Sequence, residues 1–194
     1  MLVSLGVGSL AGLTAGYFGR GVDMAIGRLI DIQLAFPVIL LVIAVVTAVG
    51  PSLANLILVM GLSGWPQVAS VVRAMVRTVR RREFVEAAQA VGAGNARIIL
   101  RHIVPNVTDT LVVYGSFEFA RLVLVEATLG YLGLGVQPPS PTWGGMVSDG
   151  EQYLAISWAA SLFPGMAIAL LVLSLNAIGE ALRGRLQQGQ AGRS

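Results

Sequence analysis

The stretch Glu83-Phe-Val-Glu-Ala-Ala-Gln-Ala-Val-Gly92, with Pro105 thirteen residues after it, decides how this chain is organised. It is an amphipathic, Arg-flanked island between long apolar runs. Its apolar and polar residues recur at helical spacing on opposite sides: Phe84, Ala87, Ala88 and Val91 against Glu83, Glu86 and Gln89. The pattern predicts a short helix held in water at a membrane surface, where a partner in solution can push on it.

The residues that follow predict a tight turn and a second helix. Gly92 lies where a helix C-terminus favours positive φ, and Gly94-Asn95 offers an N-cap for a helix from Ala96 to about His102. Pro105 disfavours helix at Val104 and re-aims the chain into the next apolar run. Residues 80–105, which we call the hairpin, are therefore expected to be short and rigid. From these residues alone, an amphipathic helix that merely lies on the lipid headgroups remains an alternative.

The composition places the chain in lipid and excludes several kinds of chemistry. Of its 194 residues, 55% are hydrophobic and 12% charged, with a mean hydropathy of +0.77, which is too apolar for an ordinary soluble domain. There is no Cys and one His, His102, so we expect no disulfide, metal or cofactor. All thirteen basic residues are Arg, whereas a Walker A loop needs Lys. We therefore expect no ATP site in this chain, no covalent chemistry and no nucleic-acid partner.

Hydropathy predicts about five membrane spans, since roughly twenty apolar residues cross the hydrocarbon core. The approximate limits are Leu2 to Phe18, Ile32 to Val49, Leu53 to Val72, Val107 to Leu129, and Ile156 to Ile178. Within the third span, Gly64-Trp65-Pro66 is expected to kink the helix. Small residues recur along the first span and favour close helix packing in lipid.

The Arg residues predict the orientation, because cytoplasmic loops retain positive charge. Twelve of the thirteen lie on one side: Arg20, Arg28, Arg73, Arg77, Arg80, Arg81, Arg82, Arg97, Arg101, Arg183, Arg185 and Arg193. The opposite loops, Gly50 to Ser52 and Gly130 to Ala155, contain none. We therefore expect the hairpin and the C-terminus to be cytoplasmic. Met1 then lies outside, within an apolar run, and we expect the sequence to lack an N-terminal part consisting of one span and an external loop.

Glu118, Arg121 and Glu126 are ionisable residues inside the fourth predicted span. Such groups are costly at membrane depth and usually face a cavity or each other. Glu118 and Arg121 are three residues apart and are expected to pair. Glu126 projects roughly 80° away from Glu118, near the outer end. Its position leaves two roles open, one near a translocation path and one in capping or helix packing.

Two motifs resemble a known family. Glu86-Ala87-Ala88, Gly92 and Pro105 are spaced as in the EAA loop of ABC importer permeases, E-A-A-x3-G-x9-I-x-L-P, although His102 and Val104 replace its Ile and Leu. The stretch from Arg101 to Asn106, Arg-His-Ile-Val-Pro-Asn, is similar to the R-H-I-L-P-N variant of the dipeptide, oligopeptide and nickel branch. A second stretch, Glu126-Ala127, Leu129 and Leu132 to Gly144, resembles the external loop of that branch's C-type permease.

The resemblance implies an all-α polytopic membrane protein with a cytoplasmic coupling-helix hairpin. Family members have six spans and an inside N-terminus, so residues 1–194 correspond to a type-1 transmembrane domain without its N-terminal part. Residues 80–105 correspond to the EAA-type loop within it. The implied location is the inner membrane of a prokaryote, as a multi-pass protein.

The resemblance also implies partners and site residues. The partners are a second homologous permease, two cytoplasmic ABC ATPase subunits, an external solute-binding protein and the lipid bilayer, with di- or oligopeptides as the cargo. The implied ATPase-coupling residues are Glu83, Glu86, Ala87, Ala88, Gly92 and Pro105. Candidates for the translocation path or for external docking are Glu126, Gln137, Pro138 and Trp143. The Pro-stiffened segment Gln137 to Trp143 could equally fold back over the mouth of the bundle. The rival functions are a gradient-driven secondary transporter or channel, and a structural membrane scaffold.

Overall fold

A computed structural model describes residues 1–191, and every regular element in them is helical. The helices are α1 Leu2–Phe18, α2 Arg20–Leu34, α3 Val38–Val49, α4 Leu53–Arg80, α5 Glu83–Ala90, α6 Asn95–Ile98, a π-helical turn Ile99–Ile103, α7 Val104–Tyr131, α8 Trp143–Glu151 and α9 Ala159–Ala191. The all-α prediction is confirmed. Of the Arg residues that predict orientation, Arg193 lies outside the described residues.

Four of the predicted spans correspond to α1, α4, α7 and α9, whereas the second, Ile32 to Val49, is interrupted between α2 and α3. Among the described residues, Leu53–Arg80 and Ala159–Leu186 are by themselves long and apolar enough to cross a membrane. A third span results if α2 and α3, which are bent by 83° at their junction, count as one. Helix α1 is apolar but has only 17 residues, and α7 carries the three ionisable residues noted above.

Helices α1 and α4 pack in parallel, with small residues of one against valines of the other. A Cβ placed on Gly8, Gly12 or Gly16 would come within 2.5–2.7 Å of the Cβ atoms of Val68, Val72 and Val76, respectively. Because both sets advance by four residues, the two backbones stay in register along the whole contact. The predicted close packing of the first span is therefore confirmed.

Helix α4 is longer than predicted and contains Pro66 in its interior. It continues eight residues beyond Val72, so Arg73, Arg77 and Arg80 lie on a helix and not in a loop. Pro66 lies inside this helix and cannot donate to the Leu62 carbonyl. The Gln33 amide of α2 donates to that carbonyl instead (2.9 Å), and Trp65 Nε1 donates to Gln33 Oε1 (2.7 Å).

Two apolar clusters hold the bundle together. The first joins α1, α4, the hairpin and the start of α7, with Val85 and Ile103 completely buried in it. The second joins α3, the start of α4 and the end of α7, around Val46 and Leu129. Both ends of α4 are therefore fixed to other helices, and the hairpin belongs to the first cluster.

Candidate functional site

The first helix of the hairpin, α5, is held by a different side from the predicted one. Val85 is completely buried in the first apolar cluster, and Ala88 packs against the same cluster. Phe84 and Val91, which were expected on the apolar side, are 40% and 85% exposed. The buried contact is made by Val85, which is in neither of the two predicted sets, together with Ala88 of the predicted apolar set.

The turn after α5 confirms the positive φ that the sequence predicted at Gly92. Its φ is 80°, its amide donates to the Gln89 carbonyl (2.9 Å), and the Ala93 amide donates to the Ala88 carbonyl (3.0 Å). These two bonds form a Schellman motif, in which the residue after the C-cap takes positive φ. Glycine adopts this conformation without the steric cost that a Cβ adds. The turn is therefore sharp and defined by hydrogen bonds.

The second half of the hairpin contradicts two predictions. Gly94 and not Asn95 is the N-cap of α6, and it makes no side-chain cap. Val104 was expected outside the helix, but the chain stays helical from Asn95 through the π turn into α7. Pro105 lies in the first turn of α7 and has no N–H to donate to the π turn that precedes it. The corner that Pro105 was expected to form is therefore a continuous helical path.

Side chains that the sequence did not single out anchor the hairpin to α1. The buried Tyr17 hydroxyl donates to Asn95 Oδ1 (2.8 Å), and the Arg80 guanidinium lies 5.3 Å from the centre of the Tyr17 ring. On the other side, Phe84 faces the His102 ring at 6.1 Å. No pattern in the sequence identifies Tyr17, because its partner Asn95 lies 78 residues away and the adjacent Phe18 is an equally plausible aromatic contact.

The remaining surface of α5 carries the predicted coupling residues. Glu83, Glu86 and Ala87 are exposed, and Ala88 is half-buried. Among the described side chains, neither glutamate forms a salt bridge. The structure thus presents acidic and small residues outward on a helix whose opposite side is fixed to the bundle. Pro105, the remaining predicted coupling residue, belongs to α7 and not to α5.

The predicted pair Glu118 and Arg121 is present and buried between helices. Arg121 donates through Nε and Nη2 to the two carboxylate oxygens (2.9 and 2.7 Å), and the Glu118 side chain is 1% exposed. Gly64 of α4 makes room for the pair, because a Cβ there would collide with Glu118 Oε1. The neighbouring Ser4 donates to the Gly61 carbonyl (2.8 Å). Gly64 and Ser4 were missed, since only the packing of three helices reveals them.

The four external candidates are only partly brought together. A cavity of about 380 Å³ lies under the segment between α7 and α8, and Gln137 and Pro138 line it. Trp143 begins α8 and is 43% exposed, and Glu126 is half-buried on α7. Neither Glu126 nor Trp143 lines the cavity.

The segment between α7 and α8 packs against the end of α7. The Gln137 amide donates to the carbonyls of Gly133 and Gly135 (3.1 and 3.0 Å). Gly144 packs directly on the Ala127 backbone. The Tyr131 hydroxyl donates to Glu151 (2.7 Å), and this hydrogen bond raises the pKa of Tyr131. The described residues contain no group of His, Cys, Asp and Glu that could hold a metal ion.

Comparison with known proteins identifies the family. The family described as "Binding-protein-dependent transport system inner membrane component" matches residues 8–190. The chain belongs to this family. Its description and the apolar helices agree on a multi-pass inner-membrane protein.

Several curated relatives are peptide permeases by name. The chain is 45% identical, over 92% of its length, to the dipeptide transport system permease protein DppC of Alkalihalophilus pseudofirmus. It is 36% identical, over 96% of its length, to the glutathione transport system permease protein GsiD of Pectobacterium atrosepticum. The matches cover 59% and 62% of those proteins, so the chain spans about three fifths of their length.

A solved structure shows the same fold. A chain from a structure of inward-facing conformations of the MetNI methionine ABC transporter superposes with a TM-score of 0.70. The match covers 94% of this chain and 89% of the other at 21% sequence identity. This chain therefore shares its fold with a chain of that ABC transporter.

Proposed function

We propose that this chain is a permease subunit of an ATP-driven ABC importer for di- or oligopeptides. It forms half of a translocation path with a second, homologous permease and receives movement from two cytoplasmic ATPases. An external solute-binding protein delivers the cargo. Family membership and the names of the relatives support this proposal. The chain itself is a transport subunit, and its lack of Lys supports the absence of an ATP site.

The observation that carries the proposal is the construction of the hairpin. Helix α5 is fixed on one side through Val85, is stopped by the Schellman turn at Gly92, and exposes Glu83, Glu86 and Ala87 on the other. A helix that only rested on headgroups would turn its apolar residues toward lipid and its charges away. Here the exposed residues are the carboxylates and Ala87 together with Phe84 and Val91, and a groove on a protein can contact all of them.

The contacts of the hairpin explain how movement would reach the spans. Force applied to α5 is transmitted through Val85 to α4 and α7, which share its apolar cluster. Through Asn95 and Tyr17 it reaches α1. Closure of the ATPase dimer would push α5 as a lever and tilt these helices from inward-open to outward-open, and hydrolysis would reset them. The positive-inside pattern of the Arg residues supports a cytoplasmic hairpin and C-terminus.

The external segment is the proposed contact for the solute-binding protein. Pro138 and the residues after it are exposed, and the segment is tied at Gln137 and by the packing of Gly144 on α7. A segment that is already ordered loses little entropy on docking. We place Trp143, at the start of α8, at the edge of this surface, and Glu126 beneath it near the outer end of the path.

Co-purification with an ATPase tests the proposal. The full-length permease, expressed with its genomic neighbours and purified through a tag, is expected to retain a Walker-motif ATPase. Glu86→Lys should reduce this retention at least tenfold, because it reverses a charge on the exposed surface. Glu180→Lys, an exposed charge reversal on α9, is the matched control and should retain the ATPase. If both variants retain the ATPase, or if both lose it to the same extent, the proposed docking surface is contradicted.

A further inference from the structure

A second cavity lies between the hairpin and the junction of α1 with α2. Its volume is about 480 Å³. Arginine side chains dominate its wall: Arg20, Arg77, Arg80 and Arg81. Asp23 of α2, together with Glu86 and Gln89 of α5, completes the polar lining. The cavity therefore joins α2, α4 and α5 around a group of guanidinium ions.

The cavity carries an excess of positive charge. The Asp23 carboxylate accepts from Arg73 Nε (2.5 Å) and also pairs with Arg77. The hydrogen bond from Arg73 lowers the pKa of Asp23, which lies outside the predicted spans, so this carboxylate stays ionised. Among the described side chains, Arg20, Arg80 and Arg81 form no salt bridge. Three guanidinium groups thus face the cavity with Glu86 as the remaining counter-charge.

The cavity lies at the level of the lipid headgroups. The 28 residues of α4 are about 42 Å long, whereas the hydrocarbon core is about 30 Å thick. The last two turns of α4, which carry Arg77 and Arg80, therefore extend beyond the core. Helix α1 ends beside them, and the chain turns into α2 through two consecutive positive φ angles, 64° at Gly19 and 44° at Arg20. Positive φ is unfavourable for Arg and persists only where the surrounding structure imposes it.

We propose that this cavity binds the phosphate group of an anionic phospholipid. Guanidinium groups bind phosphate oxygens through paired, charge-assisted hydrogen bonds. Basic pockets between transmembrane helices on the cytoplasmic side are suited to phospholipid headgroups. The proposal uses the cytoplasmic orientation of the hairpin and in that respect rests on the proposed function.

The surroundings of the cavity favour a lipid over a soluble protein. Phe18, immediately before Gly19, is 50% exposed, and Val22 and Met24 of α2 are 43% and 62% exposed. Apolar side chains next to a basic cavity match a ligand with a phosphate and an acyl chain. The surface of α5 proposed for the ATPase adjoins the cavity at Glu86, but it carries carboxylates and alanines in place of guanidinium groups. A bound headgroup would contact both α5 and the start of α2 and would thereby link the coupling helix to the bilayer.

Lipid binding to the purified permease, without any ATPase, tests the proposal independently of transport. The full-length protein in neutral detergent is titrated with phosphatidylglycerol, with phosphatidylcholine and with inorganic phosphate, and bound ligand is counted by native mass spectrometry. The test variant is Arg80→Gln/Arg81→Gln. The matched control, Arg183→Gln/Arg185→Gln, removes two exposed charges from α9.

We expect the wild type and the control to bind phosphatidylglycerol in preference to phosphatidylcholine. The test variant should bind phosphatidylglycerol roughly 25-fold more weakly, since each Arg near an anionic surface contributes a factor of about five. Equal affinity in the two double variants would overturn the proposal. Binding of inorganic phosphate as tight as that of the lipid would show a free-phosphate site instead. Unchanged lipid binding combined with loss of ATPase co-purification would assign the cavity to the ATPase.

Discussion

The contact between α1 and α4 gives a sharp prediction for Gly12→Ala. A Cβ at this position would lie 2.6 Å from Val72 Cβ and 2.7 Å from the Ala69 carbonyl oxygen. Ordinary contact begins at 3.4 Å, so the helices must separate by roughly 0.8 Å. Overpacking of this kind costs about 1–3 kcal/mol. Replacing a helical Gly by Ala returns up to about 1 kcal/mol, so the net loss is smaller than the clash alone.

Gly6→Ala is the matched control for this experiment. A Cβ on Gly6 meets nothing within 4 Å, so that variant gains the helix propensity without the clash. The two variants should therefore differ by about 1–3 kcal/mol in the free energy of unfolding, with Gly12→Ala the less stable. Thermal unfolding of the purified full-length protein in detergent measures the difference. Equal midpoints for the two variants would refute the close parallel packing of α1 on α4.

Three further predictions follow from single contacts and from the charge pattern. Gln33→Leu should destabilise the protein by about 1–3 kcal/mol, because it leaves the Leu62 carbonyl, to which Pro66 cannot donate, without a donor. The control Gln89→Leu, on the exposed side of α5, should be near neutral in the same unfolding assay. Glu118→Gln should destabilise by about 1–3 kcal/mol because it leaves the half-buried Arg121 without its carboxylate partner, whereas Glu118→Leu/Arg121→Met should recover much of that loss; additive losses would argue against coupling within the pair. Cysteines introduced at Gln89 and Ser140 should react with an impermeant reagent from opposite sides of the membrane, and labelling of both in intact cells would overturn the orientation.

Local patterns in the sequence predicted the elements that depend on local physics. Apolar runs predicted where the helices lie. Gly92 was predicted to end α5 because a helix C-terminus favours a residue that can adopt positive φ. The spacing of Glu118 and Arg121 predicted their pairing because residues three apart share one side of a helix. Each of these conclusions needs only the geometry of a single element.

The errors arose where tertiary contacts decide between local options. Pro105 is compatible with both a corner and a first helical turn, and only the path into α7 selects the turn. The side of α5 that is buried depends on where α4 and α7 lie, so Val85 could not be distinguished from Phe84 by spacing. The Tyr17–Asn95 hydrogen bond joins residues 78 positions apart, and no local pattern in either segment predicts this contact.

The central claim is that α5 is a lever whose sharp turn couples ATP hydrolysis to transport. Its most direct test compares Gly92→Val with Gly94→Val in the assembled, full-length importer. Both positions have open space around them, but φ is 80° at Gly92 and −68° at Gly94. The added bulk is therefore matched, and only Gly92→Val strains the turn, by about 1–3 kcal/mol.

Peptide uptake and peptide-stimulated ATP hydrolysis are measured for complexes that reach the membrane in equal amounts. We predict that Gly92→Val loses both activities at least tenfold while Gly94→Val keeps most of them. Normal uptake by the Gly92→Val complex, or an equal loss in both variants, would contradict the lever.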